Sequence, residues 1–476
     1  MSNKEKTTLL EKMRDGHELT LTQQIAMVFE LSVPAILAQL SSLIMQYIDA
    51  SMVGRLGEYA SASIGLVSSS TWLFGGLCMA GATGFTVQIA KLIGAKKDKD
   101  ARNIMKLGII CMTIISFVMT AIGVSIASLL PIWLGGGEQI KDGATVYFLI
   151  FALSIPFVSL NYTAAGMIQC SGNMRLPGIA EMVMCTLDVL FNALLIFPTE
   201  TQNILGISIT TPGAGLGVAG AALGTALAEA VTVAFLVYYL LARSEPLHLR
   251  KNEQFALHTS EIKSALKIAV PVAVEQTITC GAYIAFTRIV SPLGSTAIAA
   301  NSFGITAESL CYMPGYGIGA SATTIIGQCV GAKRYDITKR LGWLTTLMGI
   351  IVMTISGGLM FIFAPQMISL LTPDKAIQKL GAEILRIEAF AEPMYAASIV
   401  ASGVFRGAGD TAVSSVISFI SMWAVRIPLA AILSPLFNLQ GIWTAMCIEL
   451  IIRGILFLVL LATRFKKRAD SGQYSN

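Results

Sequence analysis

The stretch IAKLIGAKK runs from Ile89 to Lys97, and IGQCVGAKR runs from Ile326 to Arg334. They lie 237 residues apart and share Ile, Gly, Ala and Lys at matching places. The same offset relates Pro34 to Pro271, Gly57 to Gly294, Gly94 to Gly331, Gly166 to Gly403 and Gly172 to Gly409. Near the end of each half it falls to about 221, aligning Gly220 with Gly441, because the first half carries a longer loop, TETQNILGISITTPGAG. Self-similarity at a fixed offset means a duplicated structural unit, so the chain reads as two copies of one segment.

The composition says where that unit lives. Of 476 residues, 54% are apolar and only 13% are charged, and the mean hydropathy is +0.70. Soluble domains carry about 25% charged residues. Apolar runs such as Cys111 to Leu130 and Leu344 to Ala364 have the ~20 residues a helix needs to cross a bilayer. A membrane β-barrel would instead show alternating segments of about ten residues. The fold class is therefore an all-α polytopic membrane protein.

Twelve spans are expected: 29–53, 61–90, 107–130, 144–169, 176–197, 215–242, 264–290, 297–328, 342–364, 381–404, 413–435 and 440–463. Six per copy is an even number, so both copies enter the membrane from one side, as a parallel repeat about an axis along the membrane normal. The expected organisation is a tail at 1–25, an N-lobe at 26–242, an inter-lobe linker at 243–262, a C-lobe at 263–464 and a second tail at 465–476. Orientation follows from Lys and Arg. With the N-terminus inside, the tails, the even-numbered loops and Lys267 at the start of the seventh span hold 25 of the 33 basic residues, against four in the odd loops (Arg55, Lys141, Lys375 and Lys379). Both termini are expected to be cytoplasmic and the chain to be a multi-pass inner-membrane protein. RFKKR at 464–468 reads as a membrane anchor. MSNKEKTTLLEKMRDGHELT at 1–20 lacks the apolar core of a signal peptide and reads as a cytoplasmic tail, partly an amphipathic helix.

Charged side chains inside spans are costly and need a partner or a purpose. Apart from Glu30 and Glu383, which lie within two residues of a span's start, nine acids fall there: Asp49, Glu181, Asp188 and Glu229 in the first copy, and Glu275, Glu308, Glu388, Glu392 and Glu449 in the second. The second copy also carries all four in-span arginines, Arg288, Arg386, Arg426 and Arg453. Glu449 and Arg453 stand four residues apart on one helix, where they can pair. Arg426 is expected to take Glu392 or Glu388. The first-copy acids have no basic partner at similar depth, which leaves protonation, a bound cation or a wet cavity. A lone carboxyl that exchanges a proton for a cation supplies the chemistry of an antiporter. Glu181, Cys185, Asp188 and Asn192 step by four, three and four residues, which puts them on one helix face, and such a stripe faces protein or water rather than lipid. The bland reading of that stripe is an interhelical hydrogen-bond network.

Other motifs carry less. GLGVAG at Gly215–Gly220 matches the dinucleotide pattern, but it opens a membrane span rather than following a strand. Gly220 and Gly224 suit close helix packing. No Walker A, GxSxG or HExxH motif is present, so the chain carries no ATP-binding, nucleophilic or zinc-hydrolase signature. The eight cysteines stand singly and the three His, at 17, 248 and 258, are scattered. A disulfide framework and a zinc site are not expected, nor is nucleic-acid binding.

In this setting PAILAQLSSLIMQYIDASMVGRLG, IGQCVGAKR, GVFRGAGDT, WAVRIPLA and GVAGAALGTA, spread along residues 25–465, resemble the multidrug and toxic compound extrusion (MATE) family of antiporters. The resemblance implies two six-helix lobes in a V, export of bulky organic cations or other amphiphiles, and drive by Na⁺ or H⁺. The N-lobe resembles the DinF-type branch, in which a span-1 Asp works with polar residues of spans 5 and 6. Asp49 matches that Asp, Thr225 a span-6 threonine and, more loosely, Tyr147 a span-4 tyrosine. In span 5 the branch reads Asn, three residues, then Asp; here Asp188 precedes Asn192, so the types are exchanged. The NorM-type branch places cation-binding acids in spans 7 and 10. Spacing puts those positions at Thr279 and Tyr395 here, with Glu275 one turn before the first.

The expected function is secondary active efflux, H⁺ or Na⁺ in exchange for a cationic or amphiphilic small molecule, with no cofactor and no catalytic residues, by a protein that acts as a monomer. The expected cation site is Asp49, Asp188, Asn192, Thr225 and Tyr147, and the same Asp49 is where Na⁺ would bind. Glu181, Glu275, Gln276 and Glu392 are secondary cation or substrate candidates, and Arg426, Glu449 and Arg453 are structural pairs. The alternative is a flippase for a lipid-linked precursor, which needs cations in its cavity; Arg288 is the one that keeps it open. An intramembrane enzyme or non-transporting receptor lacks support, since there is no His cluster, metal set or large soluble domain.

Overall fold

A computed structural model describes residues 8–204, 207–250, 253 and 259–471. Lys251, His258 and the side chains of the RFKKR anchor lie outside the described set. The tail does form the expected helix, α1 (Leu9–Arg14), started by a capping box in which Thr8 and Glu11 satisfy each other's backbone N–H groups. The same device, Thr20 with Gln23, starts α2 (Leu21–Gly54). Then follow α3 (Glu58–Gly94), α4 (Asp98–Ile126), the short α5 (Leu130–Trp133), α6 (Glu138–Cys170) and α7 (Arg175–Ile196). The long loop of the first half is an antiparallel hairpin, β1 (Pro198–Ile204) with β2 (Ile207–Ala214). After it come α8 (Val218–Ala242), α9 (Thr259–Val290), α10 (Ser295–Gly331) and α11 (Tyr335–Ser369). The chain ends with α12 (Lys375–Glu388), α13 (Glu392–Ala408), α14 (Thr411–Ile420) and α15 (Ile427–Ser471).

Among the described residues nine stretches are long and apolar enough to cross a membrane. The difference from twelve lies in three places. The expected span at 297–328 is α10, whose GYGIGASATT run is small and polar and almost wholly buried in protein. The expected span at 381–404 is broken. Its first part belongs to amphipathic α12, and the chain turns at 389–391 before restarting at Glu392, with Pro393 in the first turn, where its missing N–H is harmless. The last two expected spans appear as one apolar stretch, Thr411–Thr463. Within it, a π-helical turn at Ser421–Arg426 precedes α15, and the backbone leaves the helix at Asn438.

In the first half, α6 packs against α3, α4 and α8, and α7 lies between α2 and α8. In the second, α10 packs against α11, α12 and α13, and α13 against α15. The halves meet where α2 and α3 lie on α9 and α10. Ser32 and Ser321 share a 2.7 Å hydrogen bond there, the Gln328 amide donates to the Cys170 carbonyl at 2.9 Å, and Lys91 donates to the Ala408 carbonyl at 3.0 Å.

The quoted stretches meet at this seam. A Cβ on Gly94 would overlap the Gln328 carbonyl, and a Cβ on Gly331 would overlap that of Lys91. Gln328 stands 237 residues after Lys91, and Gly331 the same distance after Gly94, so the two contacts are reciprocal. Only glycine permits so close an approach of two helix backbones. Positions at this offset also share unusual backbone angles: φ is 110° at Gly57 and 92° at Gly294, and 58° at Lys96 and 56° at Lys333.

Candidate ion and substrate site

Helix α7 sets the geometry. Val183, Leu190 and Leu194 are exposed on one side, while Asp188 and Asn192 are fully buried on the other. The α7 stripe therefore turns into the protein, toward α2 and α8. There the Asn192 side-chain amide donates to Asp49 Oδ1 of α2 at 2.9 Å and to Asp188 Oδ2 at 2.9 Å. One amide nitrogen thus spends both hydrogens on two carboxylates. The approach of α8 depends on Gly224, where a Cβ would overlap Asn192 Oδ1. Thr225, the next residue, faces Asp188 and also donates to the Ala221 carbonyl at 3.2 Å. Tyr147 of α6 lies close enough to Asp49 and Asp188 to feel their charge. Hydrogen bonds thus join three of the five expected residues, Asp49, Asp188 and Asn192, with Thr225 beside them on α8 and Tyr147 on α6.

The constellation is rich in acceptors. Asp188 Oδ1 and Asn192 Oδ1 are buried and receive no hydrogen bond from the described residues, although buried acceptors ordinarily find donors. Two carboxylates, an amide oxygen and a hydroxyl together are a donor set for a hard cation, and each carboxylate can equally take a proton. Two turns earlier on α7, Glu181 accepts from the Ser42 hydroxyl of α2 at 2.5 Å. On α8, Glu229 accepts from Asn161 of α6 at 3.4 Å. Among the described residues, none of these four acids has a Lys or Arg partner.

The second half is arranged differently from the expectation. Arg426 pairs with Glu449, not with Glu392 or Glu388. Its Nη2 and Nε lie 2.6 and 2.9 Å from Glu449 Oε2. Arg453 stands 3.1 Å from Glu449 Oε1, the expected pair one helical turn apart. Its Nε makes no well-aligned hydrogen bond there, so that contact is Coulombic, and its guanidinium sits 5.6 Å from the Tyr395 ring centre. Glu392 instead packs on Gly357 of α11, where the missing side chain leaves room. Glu388 and Glu392 are both buried and accept no hydrogen bond. The division into paired and unpaired acids therefore does not follow the two halves, as the sequence suggested.

Glu275 is held by Ser418 at 2.9 Å and Ser415 at 3.3 Å, both on α14. Gln276 packs on Gly76 of α3, in the contact between halves. Arg386 and Arg288 are exposed. Sequence reasoning missed the surroundings of Glu308. With Tyr283, Tyr312, Tyr395 and Arg426 it lines a cavity of about 20 Å³, room for one water. The available signal was Tyr312 and Tyr316, four and eight residues after Glu308, on one helix face.

A helical, many-span membrane protein with clustered buried carboxylates has the make-up of a membrane transporter. The MatE family model matches residues 34–194 and 271–432, two copies that begin 237 residues apart. This chain belongs to that family, the MATE transporters, and is not an enzyme. It is 26% identical over 448 residues to a probable multidrug resistance protein NorM of Thermotoga maritima, covering 93% of each chain. It is 23% identical over 420 residues to the probable multidrug resistance protein YoeA of Bacillus subtilis, covering 86% of this chain and 88% of that one. Its fold matches the crystal structure of a MATE protein in complex with MaL6, with a TM-score of 0.87 at 18% identity, covering 97% of this chain and 99% of that one. It also matches the crystal structure of a mutant of the Vibrio cholerae MATE transporter VcmN, with a TM-score of 0.85 at 19% identity, covering 94% of this chain and 98% of that one.

Proposed function

We propose that this protein is a secondary active multidrug efflux transporter that exchanges H⁺ or Na⁺ for organic cations or amphiphilic drugs. Twelve spans form two six-helix lobes, 26–242 and 263–464, joined by the linker 243–262, and they expose a central cleft alternately to each side. The nine apolar stretches support this count once α10, α13 and the bend at Asn438 are added. The reciprocal Gly94–Gln328 and Gly331–Lys91 contacts support the paired lobes. Both tails, 1–25 and 465–476, lie in the cytoplasm, the protein resides in the inner membrane, and it works as a monomer. The multidrug substrate class is supported by the names of the relatives.

The observation that carries the coupling is the Asp49–Asn192–Asp188 bridge with its two unused acceptor oxygens. Ion entry from outside fills this site, helped by Thr225 and Tyr147, and favours substrate release outward; the ion then leaves to the cytoplasm. A coupling ion shifts a conformational equilibrium only through its differential affinity for the two states. Glu181, Glu275, Gln276 and Glu392 are the secondary candidates for cation or substrate contact. Flipping of an anionic lipid precursor is the alternative, and it needs cations in the cleft; among the described residues Arg288 pairs with none of the first-half acids. The test is substrate flux in proteoliposomes under an imposed proton gradient, an imposed sodium gradient, or neither. Flux that ignores both gradients overturns the reading.

A further inference from the structure

Beside the reciprocal glycine contact, α1, the end of α3 and the end of α10 border an open depression of about 570 Å³, within the size range of small-molecule sites. Five cations line it, Arg14, Lys91, Lys96, Lys97 and Lys333, together with Tyr335, and among the described residues no carboxylate does. A basic membrane face alone accounts for scattered lysines; it does not account for their convergence on one concave space.

The charges there are only partly met. Asp15 neutralises Lys96 at 2.7 Å. Lys91 is committed to the seam through the Ala408 carbonyl. The C-terminal ends of α3 and α10 add about half a negative charge each. Nearby Asp336 is committed to Arg334 at 2.9 Å. With Lys91 left out of the count, an excess of about two positive charges remains in the depression. Arg14 Nε is buried and has no hydrogen-bond partner among the described residues.

Two of the lysines are also held where lysine is disfavoured. Lys96 and Lys333 occupy the left-handed residue that closes α3 and α10, with φ of 58° and 56°, a position ordinarily taken by glycine. Strain kept at a corresponding place in both halves points to a need for the side chain.

We propose that this depression binds a phosphate-bearing anion, which bridges the two halves through Arg14, Lys91, Lys96, Lys97 and Lys333. The anion is either an anionic lipid headgroup or a soluble polyphosphate. By joining α3 to α10 it favours the arrangement in which this end of the seam is shut. That consequence rests on the alternating-access reading; the binding itself does not.

The test is thermal unfolding at low salt, which requires no transport. Inorganic pyrophosphate is added to the detergent-purified protein. In parallel, nanodiscs containing phosphatidylglycerol are compared with nanodiscs of phosphatidylcholine. At least one phosphate source raises the midpoint by several degrees, and added salt removes the rise. Pyrophosphate alone acting assigns a soluble anion; phosphatidylglycerol alone acting assigns the headgroup. The double variant Lys96→Gly/Lys333→Gly removes two charges, and with them the Lys96–Asp15 pair, while relieving both backbones; these effects oppose each other, so its midpoint without phosphate stays close to that of wild type, yet it loses most of the shift. Lys339→Gln/Arg340→Gln, which removes two charges outside the depression, keeps it. No shift from either source, or a shift unchanged in the glycine variant, overturns the proposal.

Discussion

Asn192 Nδ2 lies 2.9 Å from Asp49 Oδ1, joining the C-terminal part of α7 to the C-terminal part of α2. The donor is an uncharged amide, so it orients the Asp49 carboxylate without neutralising it. A lysine at this place would hold Asp49 permanently ionised; an amide leaves the proton or cation free to come and go. Asp49→Asn keeps the shape and removes the charge. It is expected to reduce gradient-driven efflux to background in proteoliposomes while expression and folding match wild type. Normal pumping by the Asp49→Asn protein removes Asp49 from the site.

The order of Asp188 and Asn192 is open to an exchange experiment. Both lie on the buried face of α7 one turn apart, and the amide bridges the two carboxylates. Asp188→Asn alone leaves Asp49 as the only acid of the bridge, and Asn192→Asp alone sets three carboxylates together without their donor. Each single variant is expected to lose most transport. The double variant restores one acid, one amide and Asp49, and is expected to recover a measurable share. No recovery in the double variant shows that position, not composition, decides the site.

Gly224→Ala tests whether helix approach sets the bridge. The added methyl group meets Asn192 Oδ1 on a fully buried surface, and overpacking of this kind costs about 1–3 kcal/mol. A fall in thermal midpoint with weaker coupling is expected. Gly65→Ala on α3, where a Cβ meets nothing within 4 Å, is the control and changes neither. Equal behaviour of the two variants contradicts the packing argument.

Much of this was legible beforehand, and the exceptions have physical causes. The polar period of span 5 placed Asp188 and Asn192 on one face, since helical phase is a local property. The repeat offset paired Gly94 with Gly331, but not with the partners against which they pack; that needs the meeting of two helices. Which acid Arg426 would choose depended on rotation about helix axes. Glu449 sits on α15 within reach, while Glu392 turns to the gap at Gly357. The break inside the stretch 381–404 was not legible either, since the apolar content continues across it while the helix ends at Glu388 and restarts at Glu392.

The Arg426–Glu449–Arg453 group predicts a contrast among buried glutamates. Glu449→Gln leaves two buried guanidiniums without their carboxylate, and breaking a buried pair costs about 3–5 kcal/mol. Glu388 and Glu392 accept no hydrogen bond, so Glu388→Gln and Glu392→Gln remove no ion pair and are expected to change stability by less than about 1 kcal/mol. Thermal unfolding in detergent decides this. Similar losses for Glu388→Gln and Glu449→Gln contradict the assignment of partners.

The N-terminal helix supplies a prediction in pH. Asp15 accepts from Lys96, and that hydrogen bond holds its carboxyl below its ordinary value of 3.8. A carboxyl with a lowered folded-state value binds fewer protons folded than unfolded near that pH. Its stabilising contribution is therefore fully present above the ordinary value and is lost as pH falls through the lowered one. The pair is largely exposed, so the contribution stays below about 1 kcal/mol and shrinks with salt. Wild type and Asp15→Asn are compared at low salt from roughly pH 6 to pH 3, reading the accessibility of a label on α1. Wild type is expected to hold α1 more tightly at the upper end, and the difference should narrow toward the lower end. A difference that stays constant across the whole range means that Asp15 is not the group that fastens α1 to Lys96.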